Sequence, residues 1–164
     1  FKFRALSLLL ITIPTLIFDQ WTKIWAIESL KGQPVQSYFF DLVKLIYAEN
    51  PGAWGSLGSD WPELARMLFL IVLPLAILVG IAIYILISKQ LSKVDIISFS
   101  CIFAGGIGNL IDRIRYDYVV DMLYIGYGKI GTNIFNIADV VIMTGFGIMV
   151  VFGMILKKKQ PEAL

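Results

Sequence analysis

The chain has 164 residues, of which 58% are apolar and only 16% charged, with a formal net charge of +2. Soluble domains carry roughly 25% charged residues, so this is the composition of a membrane protein, and so small a net charge gives no basis for nucleic-acid binding. There is no histidine and a single cysteine, Cys101, which excludes Ser-His and Cys-His catalysis, most zinc sites and any disulfide within the chain.

In chain order, Lys2 and Arg4 precede an apolar run from Ala5 to Ile27. The run is long, no small-x-small cleavage site follows it, and more spans come later, so it reads as a retained helix rather than a signal peptide. The segment from about Glu28 to Trp61 contains "SYFFDLVKLIYAEN", whose Tyr, Phe, Val and Ile content favours short strands. Pro51-Gly52 marks a turn. Two further apolar runs, Pro62 to Ile87 and Val94 to Ile114, flank Lys89 and Lys93. The stretch "RYDYVVDMLYIGYGKIGTNIFN", Arg115 to Asn136, again reads as strand and loop. A last apolar run, Ile137 to Leu156, leads into Lys157, Lys158 and Lys159.

Each run approaches the ~20 residues that a helix needs to cross the hydrocarbon core. The expected fold is a mainly α membrane protein, a single domain over residues 1–164. Its four transmembrane helices would cover approximately 5–27, 62–87, 94–114 and 137–156. Segments 28–61 and 115–136 would form a small extracytoplasmic β platform on the membrane surface. If the helices alternate, all the basic flanks named above fall on one side, which the positive-inside rule makes cytoplasmic, together with both termini. Trp54, Trp61, Tyr124 and Tyr127 suit an interfacial belt.

An ionisable group at mid-membrane costs about 2.5–3.5 kcal/mol by insertion scales, and less near the ends. Here such groups gather at one depth. Asp19 and Lys23 are four apart near the outer end of the first span, a spacing that shares one helix face. Asn109, Asp112 and Arg113 close the third span, Asn136 and Asp139 open the fourth, and Asp121 lies in the loop between them. Bland readings compete: an interfacial Asp19–Lys23 pair with Lys23 snorkelling, a structural Asp112–Arg113 pair, and Asp139 as a carboxylate favoured by the helix dipole. Their coincidence on one side favours a site. "GGIGN", Gly105 to Asn109, lacks the third glycine of a nucleotide loop and reads as a close-packing face with Ala104. Cys101 reads as a small core residue. Without histidine, paired carboxylates are the available acid–base chemistry, because two close carboxyls cannot both ionise easily. Spacing names Asp139 as one partner and leaves Asp112 and Asp121 open as the other.

The pieces "DQWTK" (Asp19–Lys23), "ENPGAWG" (Glu49–Gly55), "GGIGNLIDR" (Gly105–Arg113), "VVDM" (Val119–Met122) and "FNIAD" (Phe135–Asp139) are each short. In this order, on four apolar runs, they make the chain resemble the lipoprotein signal peptidases (signal peptidase II) along nearly its whole length. The resemblance implies a multi-pass aspartyl endopeptidase of the bacterial cytoplasmic (inner) membrane, with its site near the outer leaflet. It implies removal of the signal peptide from prolipoproteins carrying a diacylglyceryl cysteine, cut just before that cysteine. It also implies Asp121 and Asp139 as the catalytic pair. Asn50, Gly52, Asn109, Arg113 and Asn136 would be supporting or substrate-binding residues, and Asp19, Lys23 and Asp112 structural polar residues. No metal or organic cofactor is implied. The expected partners are the lipidated prolipoprotein and membrane lipids, and a monomer is expected. Two departures stand out: "NPGAW" has one alanine fewer than the usual motif, and Met122 stands where Phe is commoner. Neither touches the carboxylates.

A transporter or channel subunit would need polar groups spread through the membrane depth, and the middle of each run is almost uncharged. A Ser-Lys peptidase using Lys23 lacks a matching serine signal. A non-catalytic assembly protein would leave the outer cluster unexplained.

Overall fold

The computed structural model describes residues 1–128 and 130–158. Lys159 lies outside the described residues, as do the side chains of Trp54, Lys157 and Lys158. Four long helices and one small sheet make up the architecture: α1 (Lys2–Ser29), β1 (Gln36–Tyr38), β2 (Val43–Asn50), α2 (Glu63–Ile87), α3 (Lys93–Tyr116), β3 (Val119–Tyr127), β4 (Ile130–Gly131) and α4 (Ile137–Lys158). By length and composition α1, α2 and α3 can each cross a membrane. The apolar part of α4 with described side chains, Ile137–Gly153, is shorter.

The helices are turned inside out relative to a soluble protein. Helix α1 buries only Asp19, Lys23 and Ala26, while Leu10, Ile17 and Trp21 stand more than half exposed. That distribution is stable only where the surroundings are apolar, as in lipid. The centre of the bundle is α3, whose small residues Ala104, Gly105 and Gly108 are buried. A Cβ on Gly108 would come 2.7 Å from Asp19 Oδ2 and 3.2 Å from Ala138 Cβ, and one on Gly105 would overlap the Ala138 carbonyl. The glycines therefore let α1, α3 and α4 approach closely, as small residues do between membrane helices. Helix α3 opens with a capping box, Ser92 Oγ accepting from Asp95 N and Asp95 Oδ2 from Ser92 N. Cys101 is half-buried.

One feature of α2 has no sequence signal. Its second turn, Met67–Val72, is π-helical, a widening that shifts the residues before it relative to those after it.

The sheet is four-stranded and antiparallel, in the order β1-β2-β3-β4. Asp121, expected in a loop, sits within β3. The root of the sheet packs on the end of α1, where Ala26 and Leu30 form a buried cluster with Val120 and Met122. On β2 the register slips between Leu45, opposite Leu123, and Ala48, opposite Asp121, so β2 carries one extra residue there. A bulge reverses which face later side chains take. It leaves Ala48 opposite Asp121, and Asn50, two residues on, shares that face. The strand before α4 is pinned to β3: Phe135 N donates to Leu123 O (2.8 Å) and Leu123 N to Phe135 O (2.9 Å). That pinning carries Asn136 and the start of α4 to Asp121.

Candidate active site

Asn136 is the N-cap of α4 and Asp139 its third residue. Asp139 N donates to Asn136 Oδ1 (3.0 Å) and Asn136 N donates to Asp139 Oδ2 (3.2 Å). This reciprocal cap satisfies two of the amides that a helix start leaves unpaired. Asp139 therefore does have the helix-start role that its position suggested. It also has a second one, because Asn136 faces two ways. Its Nδ2 donates to Asp121 Oδ1 at 2.6 Å, so one asparagine joins the two carboxylates. Asn109 Nδ2 donates to the other Asp139 oxygen, Oδ1 (2.8 Å), and Asn50 Nδ2 to Asp121 Oδ2 (3.2 Å). All four carboxylate oxygens thus accept from neutral donors.

Asp121 is 3% exposed and Asn136 fully buried, while Asp139 is half-buried. Burial first, and then the neighbouring Asp139 carboxylate, push the Asp121 pKa up to about 7. A buried carboxyl beside a second one holds its proton to much higher pH than an isolated aspartate.

Asp112, the other candidate left open by spacing, is engaged elsewhere. Its Oδ2 accepts from Lys23 Nζ (2.8 Å) and from Val120 N (3.1 Å), and its Oδ1 from Gln20 Nε2 (2.9 Å). Two readings from sequence are corrected here. Arg113 does not pair with its neighbour Asp112, because adjacent residues on a helix point about 100° apart. Lys23 does not snorkel, because it is 2% exposed and its three ammonium protons all have acceptors. These are Asp112 Oδ2, Asp19 Oδ2 (2.9 Å) and Asn109 Oδ1 (3.1 Å).

This cage grips the carboxylate pair from behind. Asp19 Oδ1 accepts from Ala138 N (2.9 Å), one residue before Asp139. Asp112 accepts from Val120 N, one residue before Asp121. Because Lys23 and Asn136 both donate to Asn109 Oδ1, the amide of Asn109 must present its NH2 to Asp139. Sequence spacing singles out Asp19, Lys23 and Asp112 but gives no means of finding these backbone grips. Gln20 was missed altogether, and its place within "DQWTK" was the available signal.

Arg113 donates from Nη2 to Gly52 O (2.8 Å), and Gly52 N donates to Asn50 Oδ1 (3.1 Å). Gly52 has no room for a side chain, since a Cβ would come 2.5 Å from Ser56 backbone atoms. Arg113 therefore fixes the "NPGAW" loop, which in turn aims Asn50 at Asp121. One open groove reaches Asp121 and a second reaches Arg113. One of about 440 Å³ is lined by Asn50, Ser56, Asp121, Tyr124 and Asn133. The other, about 580 Å³, runs between α2 and α3 and is lined by Arg66, Arg113, Leu64, Met67 and Leu70. The groove that reaches Asp121 mixes polar and apolar lining, and the one beside Arg113 has an apolar wall of Leu64, Met67, Leu70 and Ile71; such surfaces suit an extended peptide and an apolar group respectively.

The model of the family described as Signal peptidase (SPase) II matches residues 11–155. The chain is 37% identical to the lipoprotein signal peptidase of Clostridium tetani, over 88% of this chain and 90% of that one. It is 35% identical to the lipoprotein signal peptidase of Clostridium acetobutylicum, over 94% and 97%. A bacterial membrane enzyme solved by the in meso method at 2.3 Å resolution superposes with a TM-score of 0.80 at 24% identity, covering 96% of this chain and 94% of that one. The fold is thus shared with a solved membrane enzyme, the sequence match runs through the carboxylates, the asparagines and the Lys23 cage, and the chain belongs to the signal peptidase II family.

Proposed function

We propose that this protein is an aspartyl endopeptidase that removes the signal peptide from diacylglyceryl-modified prolipoproteins, cutting just before the lipidated cysteine. The observation that carries the reading is the pair Asp121 and Asp139, joined through Asn136 and supplied only with neutral donors. With Asp121 pushed up to about 7, the pair holds one proton near neutral pH. A water between the carboxylates loses a proton to the ionised partner as its oxygen bonds to the scissile carbonyl carbon. The protonated partner donates to the developing oxyanion. As the C–N bond breaks, one carboxyl gives its proton to the leaving amine while the other carboxylate takes a proton from a hydroxyl of the tetrahedral diol, so that the new carboxyl forms and the pair returns to its one-proton state.

In this reading the polar groove beside Asn50 takes the peptide, and the α2–α3 groove, with its apolar wall, faces the acyl chains. All four helices span the bacterial cytoplasmic membrane, with both termini on the cytoplasmic side and the pair near the outer leaflet. The support is the basic flanks at Lys2, Arg4, Lys89 and Lys93. The enzyme acts as a monomer.

The test is cleavage of a purified diacylglyceryl-modified prolipoprotein in detergent. Wild type cleaves it, and Asp121→Asn and Asp139→Asn each lose at least the ~10²-fold typical of a general acid or base while remaining folded. Either variant retaining more than about a tenth of the wild-type rate would refute the assignment.

A further inference from the structure

Apart from the N-terminal Phe1, the end of the sheet far from the helices carries the most exposed large apolar side chains outside them among the described residues. Phe40 is 97% exposed, Ile130 83%, Phe39 76% and Tyr127 74%. The register brings them together. Tyr38 pairs with Val43 across the β1–β2 turn, Val43 lies opposite Ile125, and Tyr127 lies opposite Ile130. Gly126 N donates to Leu42 O (2.8 Å), which ties the two turns side by side. The result is one apolar tip built from two turns. It stands about four residues of strand, roughly 13 Å, beyond Leu123 at the edge of the packed root.

The β1–β2 turn holds an unfavourable backbone in order to present this tip. Phe39, Phe40 and Asp41 are three consecutive non-glycine residues in the left-handed region, with φ of 52°, 58° and 66°. Bulky residues rarely adopt that conformation, and strain of this kind persists where the surroundings or a function require it. The Ser37 hydroxyl donates to Asp41 Oδ1 and closes the turn. Both phenylalanines are turned away from the protein.

We propose that this tip inserts into the headgroup region of the bilayer on the side of Asp121, so that the sheet is held against the membrane at both ends. The lipid surface is already continuous with it. The root packs on the last turns of α1, where Trp21 and Trp25 point away from the protein among the other apolar side chains that lipid must cover. One residue inside the tip, Lys44 places its ammonium 5.9 Å from the Tyr124 ring centroid. Among the described residues it has no carboxylate within ion-pair distance. Aromatic rings with a neighbouring lysine are the composition of a membrane interface, with the ring in the acyl boundary and the cation at phosphate height. A strand end held in this way fixes the height of Asp121, four to six residues back along β3. The inference rests on the membrane character of the helices and is independent of the catalytic assignment.

The test uses the full chain in nanodiscs of phosphatidylethanolamine and phosphatidylglycerol, with Cys101→Ser to remove the native thiol. Spin labels on Phe40→Cys and, separately, Tyr127→Cys are compared with labels on Gln90→Cys, in the polar α2–α3 connection, and Ile17→Cys, on the exposed face of α1. Insertion makes the ratio of oxygen to water-soluble nickel collisions at positions 40 and 127 several-fold higher than at 90, and closer to that at 17. Two variants in different turns guard against one of them failing to fold. Ratios at 40 and 127 equal to that at 90 would overturn the proposal. So would dipolar broadening between labels on two copies, which would make the tip a self-association face.

Discussion

Two pairs of carboxylates share the junction of α1, α3 and α4, and they differ in what faces them. Asp19 and Asp112 enclose the Lys23 ammonium at 2.9 and 2.8 Å. Asp121 and Asp139 meet only amides, and among the described residues no cation lies within ion-pair distance of either. Asp19, Asp112 and Asp121 are buried and Asp139 is half-buried, so what sets the two pairs apart is the group each one faces. Two carboxylates around an ammonium are compensated by its charge. A pair supplied only with neutral donors must share a proton. The first pair can therefore serve as scaffold and the second as acid and base. The scaffold grips the backbone just before Asp121 and Asp139, at Val120 and Ala138.

Breaking the cage gives the largest expected effect on stability. Lys23→Met leaves two buried carboxylates uncompensated, a loss of about 3–5 kcal/mol. It should appear as a large drop in thermal unfolding temperature in detergent, partly rescued by adding Asp19→Asn. No rescue would mean that the cage is not an electrostatic unit. Gly108→Ala pushes a methyl against Asp19 Oδ2 and Ala138 Cβ, an overpacking cost of about 1–3 kcal/mol. It should lower both stability and cleavage rate, and an unchanged melting temperature would contradict the close approach.

Arg113→Lys tests the loop rather than either pair. It keeps the charge and loses the planar fork that reaches Gly52 O. Cleavage should fall at least about tenfold, given the ~1.5–3 kcal/mol of a hydrogen bond to a charged group, with the pH profile unchanged in shape. Arg113→Ala should be worse, through the loop, and should leave Asp112 undisturbed, since Lys23 is its partner. Limbs of the profile that move by more than about one unit would mean that Arg113 tunes the pair directly.

The smallest change sought is a shift along the pH axis. Asp121 carries a raised pKa, so its proton is present below about 7 and lost above it. Cleavage should therefore decline as pH rises through about 7. Whatever stability this group contributes is full below the ordinary aspartate range and is lost as pH rises through the same value. A profile still rising between pH 7 and 9 would contradict this. Metal removal should change nothing, and an EDTA-induced loss restored by a divalent cation would count against two-carboxylate chemistry.

The long apolar runs, the basic flanks and the helix-face spacing of Asp19 and Lys23 could be read from the sequence, because membrane composition and helical spacing are local signals. The reciprocal cap of Asn136 and Asp139 was also within reach, as an Asn followed three residues later by a carboxylate at the start of an apolar run. What spacing could not give was tertiary. Lys23 chooses Asp112 across 89 residues, and that choice separates Asp112 from Arg113 and leaves Asp121 beside Asp139. The bulge on β2 that turns Asn50 toward Asp121 shows only as a register slip. The π-helical turn at Met67–Val72 has no sequence mark.

The most direct test of the difference between the two pairs is the protonation state of the aspartates themselves, read by infrared spectroscopy of protein carrying ¹³C-labelled aspartate in a lipid bilayer. One isotope-shifted protonated-carboxyl band is expected at pH 6, absent at pH 8.5 and absent at both in Asp121→Asn, while Asp112→Asn leaves it in place. A spectrum at pH 6 with every aspartate ionised, or a protonated band that survives in Asp121→Asn and disappears in Asp112→Asn, would contradict the assignment of the two pairs.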